Sequence, residues 1–288
     1  MISAPPQSPN YVQGFARQRG GSAYPALSDG LVGLWAPFLG PTGETLFDWS
    51  ACKNDGTLTN MAPATDWVVT RSGAALKFGG TNEHVLLQRP PFVSYPHTMV
   101  SLLETGAAGE STFGLAVANG GSPSNFWAIE ANVGNFFVYY FRAGGTEWII
   151  WGAPAANQVY MIAGVSRASD HHELWVDGQL RATSSTDATP SSVDKASIGA
   201  ALDSSPSYGK GRVIATMAWD RALVASELQT LCADPYALLR LRRRALSVLA
   251  AIGGPYLITA GQVFHTGGTK GDLFSSGSIV GECHGRSG

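Results

Sequence analysis

The chain has 288 residues, of which 44% are hydrophobic and 14% charged, so it has ample material for a core and lacks the composition of a disordered protein. The formal net charge of −2 gives no indication of a nucleic-acid partner or an anionic membrane. The sequence contains 35 glycines, and 10% of its residues are aromatic. Many turns between aromatic-rich segments are typical of an all-β protein. The length fits one domain of roughly 200 residues with additional arms.

The three cysteines, Cys52, Cys232 and Cys283, are odd in number, far apart and without CxxC spacing. This pattern argues against a disulfide framework or a zinc site. The N-terminus lacks the basic start and apolar stretch of a signal peptide. The longest apolar run, 245–258, is interrupted by glycine and proline and is shorter than the roughly 20 residues that a membrane-spanning helix needs. We therefore expect a soluble protein without membrane insertion.

The two ends of the chain lack the periodicity of strands or helices. Residues 1–29 contain several prolines among polar residues and glycines, which predicts an extended N-terminal arm. Residues 239–288 begin with a basic segment and continue as a Gly-, Ser- and Thr-rich stretch that could not bury a core alone. We predict a C-terminal arm there, and one folded domain over 30–238.

Within that domain, short strand-like segments alternate with glycine-rich turns. Segments that recur every 8–12 residues with such turns indicate an antiparallel sandwich or barrel. The predicted strands, in chain order, are 31–35, 74–78, 84–88, 112–118, 126–131, 136–141, 147–151, 159–165, 172–176, 179–183 and 212–219.

The sharpest local signal is the dipeptide Asp177-Gly178 between two strand-like segments. Asp-Gly favours a two-residue hairpin because both central residues need positive φ. Strand periodicity places Leu174 and Val176 on one face of the first strand. In the last strand, the same periodicity predicts that Val213, Met217 and Trp219 share one side.

One convincing helix follows the last strand. Residues 225–232 place Leu228 and Leu231 on one face, and Asp234-Pro235 ends the helix. It is the only helix predicted within the domain.

The order of these segments resembles that of laminin-G-like, concanavalin A-like jelly-roll domains. The resemblance rests on 30–35, 48–58, 74–85, the hairpin at 173–178 and the closing stretch 211–228. It implies an antiparallel two-sheet jelly-roll sandwich over the whole predicted domain. This fold hosts lectins, adhesion modules, glycosidases and virion parts, so it does not specify a function.

The chain departs from the family at the start of the closing helix. It has Val224 where such domains usually have serine, so no side-chain oxygen is present at the N-cap. Glu227 nevertheless occupies the capping-box position, and we expect its carboxylate to reach back to the start of the helix.

The end of the domain, 233–240, looks like the end of such domains in bacteriophage and prophage proteins. This resemblance implies a virion component, such as a capsid decoration, fibre or tail protein, located in the virion or in the host cytoplasm during assembly. Its partners would be other virion subunits or further copies of itself in a homo-oligomer.

Candidate catalytic carboxylates are few. A glycosidase on this fold needs two carboxylates about 5–9 Å apart. Glu130 is the nearest approach, but Asn132 and Gly134 stand where a partner acid would share its face. Serine, cysteine and cofactor-binding motifs are absent as well. We therefore predict a protein without enzymatic activity or cofactors.

Two further clusters are candidates for metal or general-base chemistry. Asp48 and Asp55 are interpreted as turn-forming residues that bond their own backbone, with calcium at the loops that also carry Asn82 and Glu83 as the open alternative. His171 and His172 adjoin each other, and neighbouring strand residues point to opposite faces. We interpret that segment as a solvated loop leading into the hairpin.

Aromatic residues form the candidate glycan site. Trp148, Trp151, Tyr139 and the adjacent Tyr140 could stack against sugar rings. The alternative is that they pack in the core or in a trimer interface.

Arginines form the candidate partner site. Arg240, Arg242, Arg243 and Arg244 concentrate positive charge in five residues, which suits an acidic or phosphate-bearing partner surface. A solvated helix end is the alternative.

The sequence thus supports three hypotheses. The first is a non-catalytic virion protein that assembles through its arms and displays the sandwich outward, where it could adhere to a cell-surface glycan. The second is a free carbohydrate-binding, lectin-like module, and the third is a glycoside hydrolase.

Overall fold

The computed structural model describes residues 24–145 and 147–239, together with the backbone of two strands further along the chain. Those strands, β19 (Tyr256–Thr259) and β20 (Gln262–His265), pair as an antiparallel hairpin within a separate unit, 243–288. Nearly all of the predicted N-terminal arm and most of the predicted C-terminal arm lie outside the described residues.

Two large antiparallel sheets form the domain. The first sheet contains β1 (Leu31–Trp35), β4 (Trp67–Thr70), β5 (Gly73–Gly79), β7 (His97–Thr105), β12 (Val159–Ala168), β13 (His171–Val176), β14 (Gln179–Ser184) and β18 (Lys210–Trp219). The second sheet contains β2 (Thr45–Leu46), β3 (Gly56–Thr59), β6 (His84–Leu87), β8 (Ser111–Ala118), β9 (Asn125–Asn132), β10 (Phe136–Ala143), β11 (Trp148–Trp151) and β15 (Lys195–Ile198). The all-β jelly-roll fold predicted from the sequence is confirmed.

Few helices accompany the sheets. They are α1 (Pro25–Ser28), α2 (Pro63–Asp66), α3 (Ala225–Ala233) and the 3₁₀ turns Pro37–Leu39 and Ala237–Leu239, and a small hairpin joins β16 (Ala200–Ala201) to β17 (Ser207–Tyr208). Among the described residues, none of the helices has both the length and the apolar character needed to cross a bilayer.

The first sheet runs in the order β14-β13-β12-β7-β18-β5-β4, and β1 also pairs with β18. The second runs β11-β10-β9-β8-β15-β6-β3-β2. Strands distant in sequence are therefore neighbours, as in the pairing of β15 with both β8 and β6. Such crossovers are typical of a jelly roll. By contrast, β8–β11 pair in chain order as a meander at one side of the second sheet.

The main core lies between the two sheets. Alternation along each strand sends every second side chain inward, so both sheets contribute large residues such as Trp35, Trp127 and Phe141, all fully buried. The indole nitrogen of Trp35 donates to the carbonyl oxygen of Asn54 at 2.7 Å, so the ring is buried without leaving its polar atom unpaired.

A second apolar layer lies on the outer face of the first sheet. Leu228 and Leu231 of α3 pack there against β18 and its neighbours, as their helical spacing predicts. The N-cap residue Val224 provides no side-chain bond, but the carboxylate of Glu227 accepts from the Val224 backbone nitrogen at 2.9 Å. Arg221 donates two hydrogen bonds to the same carboxylate, at 2.9 and 2.7 Å.

The last strand departs from simple alternation. The register of β18 against β7 shifts between Val213 and Ala215, which marks a β-bulge. An extra residue in one strand reverses the order of inward and outward side chains beyond it. Val213 therefore faces the core between the sheets, whereas Met217 and Trp219 face the helix. The prediction that these three share one side is wrong for this reason.

The predicted hairpin is present at Asp177-Gly178. The φ angles are 50° at Asp177 and 71° at Gly178, as a two-residue turn of this kind requires. The Asp177 carboxylate accepts from the backbone nitrogen of Met161 at 2.9 Å, which ties the turn to β12. Asp177 is thus committed to the turn.

Candidate functional site

The outer face of the second sheet carries a cluster of aromatic and charged side chains. Alternation directs Phe126 and Glu130 of β9, Tyr140 and Arg142 of β10, and Trp148 of β11 away from the core between the sheets. In the register of the sheet, Arg142 lies opposite Phe126, and Tyr140 lies opposite Trp148. We call these five residues the aromatic face.

Three rings form the apolar part of the aromatic face. The centroid of Tyr140 lies 5.5 Å from that of Phe126 and 6.1 Å from that of Trp148. Phe126 is buried at the base of the cluster, whereas 42% of the Trp148 surface is exposed. Exposure falls across the cluster from Trp148 to Phe126, so the accessible stacking surface lies at β10 and β11.

Arg142 lies between two of these rings. Its guanidinium carbon is 5.6 Å from the ring centroid of Phe126 and 5.7 Å from that of Trp148, which is within the range of cation–π attraction. Its Nε donates to the carbonyl oxygen of Gly145 at 2.8 Å. The guanidinium is therefore held in place by the turn that joins β10 to β11.

Glu130 supplies a buried carboxylate at the other end of the cluster. The Tyr140 hydroxyl donates to its Oε2 at 2.7 Å, and Asn132 Nδ2 lies 3.5 Å from its Oε1. Burial, and then the negative charge of Glu130, raise the pKa of the Tyr140 phenol far above its ordinary value. The phenol is thus a hydrogen-bond donor at neutral pH, aimed at the carboxylate.

The segment that follows β15 covers part of this face. Ala201 packs against Phe126 and the small residues of β8 and β9, and Asp203 accepts from the backbone nitrogen of Ser124 at 2.9 Å. Trp148 and Ile150 of β11 nevertheless stay exposed, at 42% and 50% of their surface. The covering segment forms one boundary, and the accessible part of the face lies beside it.

The residues predicted from the sequence as a glycan site occupy three different environments. Trp148 lies on the aromatic face. Trp151 is half-buried at the edge of the second sheet, stacked on Phe137 at 5.8 Å, and the Arg181 guanidinium lies 4.2 Å from its ring centroid. Tyr139 is fully buried in the core between the sheets, as the packing alternative proposed, and reaches no surface. The four predicted partner-binding residues, Arg240, Arg242, Arg243 and Arg244, lie outside the described residues.

Phe126 and Arg142 were not predicted from the sequence as members of a site. The available signal was strand alternation, because residues i and i+2 of a strand share a face. Alternation places Phe126 on the same face of β9 as Glu130, and Arg142 on the same face of β10 as Tyr140. The sequence does not reveal which face of these strands is covered, so the alternation alone did not separate Tyr140 from Tyr139.

The loops considered for calcium bond their own backbone instead. The carboxylate of Asp48 accepts from the backbone nitrogens of Leu34, Ser50 and Asn54, each within 2.9 Å. Asp55 in turn accepts from the Asp48 nitrogen at 2.8 Å. Among the described residues, no three His, Cys, Asp or Glu side chains converge in a way that could hold a metal ion.

A separate cleft of about 770 Å³ lies at the first sheet. Its lining includes an ion pair between Glu104 and Arg212. The other polar lining residues are Thr70, Arg71, Ser72, Asn157 and Gln158. The lining contains no aromatic ring, so this cleft offers hydrogen bonds without a stacking surface.

Comparison with known proteins gives structural neighbours only. No family model matches the chain. No curated protein matches it in sequence.

Several solved structures share the fold at low sequence identity. The sialidase of Trypanosoma rangeli in complex with sialic acid matches with a TM-score of 0.56 and 18% identity, covering 73% of this chain and 33% of the sialidase. The same sialidase as a covalent intermediate matches with a TM-score of 0.56 and 19% identity, covering 73% of this chain and 34% of the sialidase. The chain therefore spans only about a third of the sialidase's length.

A third match covers nearly the whole of a smaller structure. Domain 4 of AbnA, a GH43 extracellular arabinanase from Geobacillus stearothermophilus, in complex with arabinotriose, has a TM-score of 0.55 and 14% identity. The match covers 70% of this chain and 98% of that domain. Together with the strand order, it supports a concanavalin A-like jelly-roll sandwich as the class of fold.

These neighbours contradict two predictions made from the sequence. The matching structures described above are a sialidase and a domain of an arabinanase, and they show no link to bacteriophage proteins, so the prediction of a virion structural protein is wrong. The prediction that the chain is not an enzyme is contradicted by the same neighbours, because the fold occurs within glycoside hydrolases. The virion prediction relied on the likeness of the short segment 233–240, which carries little specific information. The prediction of no enzymatic activity relied on the absence of a partner acid on the same strand as Glu130, and a single strand does not show which groups other strands bring near it.

Proposed function

We propose that this chain is a carbohydrate-binding domain that holds a glycan against the aromatic face. The observation that carries the proposal is the exposed ring of Trp148, set beside Tyr140 and flanked by charged side chains on the same face. The arabinanase domain that matches over 98% of its length was solved with arabinotriose, which supports a role of this kind.

The chemistry of the aromatic face suits a sugar. The C–H groups of a sugar ring pack on an aromatic ring, and its hydroxyls need directional hydrogen-bond partners. Trp148 and Tyr140 supply the first requirement. Arg142, which forms one hydrogen bond among the described residues, supplies donors for the second.

Replacement of Trp148 tests the proposal. We expect Trp148→Ala to weaken binding to oligosaccharides roughly tenfold or more, about 1.4 kcal/mol, in calorimetric titration with arabinotriose and a panel of acidic and neutral oligosaccharides. Phe47→Ala is the matched control, since Phe47 is 39% exposed and follows β2 at the opposite edge of the same sheet. Equal affinities of Trp148→Ala and the parent chain would overturn the proposal.

Glycoside hydrolysis is a second candidate function, favoured by the pairing of Tyr140 with Glu130. The Glu130 carboxylate accepts the hydrogen bond of the phenol and is therefore placed to act as its general base. Because the pKa of the phenol is raised, its proton would pass to Glu130 only as the phenol oxygen attacks the sugar. Some glycosidases use a tyrosine nucleophile. If this pair is catalytic, release of a chromogenic aglycone from aryl glycosides should vanish in both Tyr140→Phe and Glu130→Gln and persist in Phe47→Ala.

A further inference from the structure

The guanidinium of Arg142 has no carboxylate partner in the described part of the chain. The ion pairs found there involve Arg167, His171, Lys210, Arg212 and Arg221. Within the same described residues, Arg142 donates from Nε alone, to the carbonyl oxygen of Gly145. Its two terminal nitrogens therefore keep their hydrogens available for a ligand.

The surroundings of Arg142 fix the direction in which those hydrogens point. The bond from Nε to Gly145 holds one edge of the guanidinium plane. The rings of Phe126 and Trp148 lie near the guanidinium carbon at similar distances, 5.6 and 5.7 Å. The remaining edge, between the two terminal nitrogens, presents parallel N–H groups, the arrangement that a carboxylate accepts with both of its oxygens.

The acidic residues closest in the sheet do not neutralise this charge. Glu130 accepts the hydroxyl hydrogen of Tyr140 and lies on the far side of that ring in the register of the sheet. Glu147 accepts from the backbone nitrogen of Ala143 at 3.2 Å and forms no ion pair with Arg142. The positive charge is thus left for a ligand, and the neighbouring rings reduce its contact with water, which strengthens its attraction for an anion.

Building on the proposed carbohydrate binding, we propose that the aromatic face recognises a sugar that carries a carboxylate, such as a uronate or a sialate. The carboxylate would bind the terminal nitrogens of Arg142. The sugar ring would pack on Trp148 and on the exposed edge of Tyr140. Tyr140 pairs with Trp148 across the sheet and is two residues from Arg142 on β10. An anionic sugar matches the unpaired positive charge of Arg142 as well as the rings, whereas a neutral sugar matches only the rings.

The test compares one oligosaccharide in two forms. Trigalacturonate and a sialylated trisaccharide are each titrated against the full chain, beside the same compounds with their carboxylates reduced to primary alcohols. We expect at least one of the two acids to bind at least tenfold more tightly than its own reduced form. This difference in affinity should shrink as the salt concentration is raised. The two acids distinguish a uronate from a sialate.

Variants of Arg142 assign the preference to this side chain. Arg142→Gln should abolish the tenfold preference, measured as the ratio of the two affinities, because glutamine carries no positive charge for the carboxylate. Arg142→Lys should retain only part of the preference because an ammonium lacks the planar pair of donors. Arg71→Gln, which removes an exposed arginine of the separate cleft, is the matched control and should keep the full preference. Melting curves for each variant separate loss of binding from loss of fold.

The outcomes distinguish this inference from the proposed function. Equal binding of acidic and reduced forms by the parent chain would overturn the inference and leave carbohydrate binding intact. A preference that survives in Arg142→Gln would overturn the assignment to Arg142. Absence of binding to every oligosaccharide would overturn both.

Discussion

The hydroxyl of Tyr139, from the second sheet, lies 2.5 Å from the hydroxyl of Ser166, from the first. Tyr139 also contacts His97 Nε2 at 3.0 Å, and Ser166 contacts His172 Nδ1 at 2.7 Å. All four side chains are fully buried. A polar chain therefore crosses the core of the sandwich, and it ends on both sides at a backbone carbonyl that accepts from the outer imidazole nitrogen.

Burial disfavours the charged form of the two imidazoles in this polar chain of side chains, those of His97 and His172. Loss of hydration lowers the pKa of His97 from 6.5 to about 3, and the nearby His172 acts in the same direction. Burial also lowers the pKa of His172, although the backbone hydrogen bonds and the charge of Asp170 oppose it. Unfolding exposes both rings to water and restores their ordinary pKa values.

The first prediction is a loss of stability in acid. The folded state binds fewer protons than the unfolded state below pH 6.5, so the histidine contribution is fully present above that pH and is lost as the pH falls toward 3. For His97 we expect the free energy of unfolding to fall by about 2 kcal/mol between pH 6.5 and pH 5. Urea unfolding at half-unit pH steps measures it. His97→Gln should flatten the dependence and the exposed His171→Gln should not, and an unchanged slope in His97→Gln would contradict the prediction.

The second prediction concerns the phenol of Tyr139, in the middle of this polar chain of side chains. Tyr139→Phe keeps the ring in the core but removes the hydroxyl that contacts both His97 and Ser166. We expect the free energy of unfolding to fall by roughly 1–3 kcal/mol, because buried polar groups lose their partner. Tyr208→Phe is the control, since the Tyr208 hydroxyl forms no hydrogen bond within the described residues, and its midpoint of denaturation should stay unchanged. Equal shifts in the two variants would argue against a structural role for the polar chain.

The third prediction is a stabilising substitution at the start of α3. Val224 has extended backbone angles, φ −90° and ψ 163°, and is 50% exposed, so a serine fits there without strain. Its hydroxyl would accept from the backbone nitrogen of Glu227 and complete the capping box. We expect Val224→Ser to raise the free energy of unfolding by about 1 kcal/mol, measured as a shift in the denaturation midpoint. Val224→Ala, which removes the same exposed apolar surface without adding an oxygen, should give no such gain.

The fourth prediction separates backbone strain from steric contact at the hairpin. Gly178 has φ +71°, and an added Cβ would lie 3.0 Å from the Cβ of Cys232. Gly134 has φ +81° with nothing within 4 Å of the same position. We expect Gly134→Ala to cost about 1 kcal/mol from strain alone, and Gly178→Ala to cost measurably more. Equal losses in thermal or chemical denaturation would mean that the contact with α3 relaxes freely.

Much of the fold follows from local patterns. The hairpin at Asp177-Gly178 was predictable because its dipeptide specifies a turn, and the closing helix because Leu228 and Leu231 have helical spacing and a proline follows. The bulge after Val213 was not, because nothing in the strand's own sequence reveals the extra residue. Its position depends on pairing with β7, more than a hundred residues earlier in the chain.

The candidate site was predictable only in part, for a related reason. Periodicity states that Tyr139 and Tyr140 point in opposite directions, but it does not state which direction is the core. That choice depends on how the two sheets stack. The burial of His172 was missed for the same reason. The segment predicted to be a solvated loop is the start of β13, and the His172 ring stacks on Phe141 with the ring centroids 3.8 Å apart.

The position of β11 at the edge of its sheet, among the described strands, carries a further consequence for solubility. Its sequence, Trp148-Ile149-Ile150-Trp151, contains no charge, and an uncharged apolar edge invites pairing with another chain. Both tryptophans nevertheless have a guanidinium over the ring, Arg142 at one end and Arg181 at the other. Because charge beside an apolar edge opposes pairing with another chain, we expect these arginines, supplied by β10 and β14, to act as gatekeepers that a scan of the edge's own sequence would not reveal.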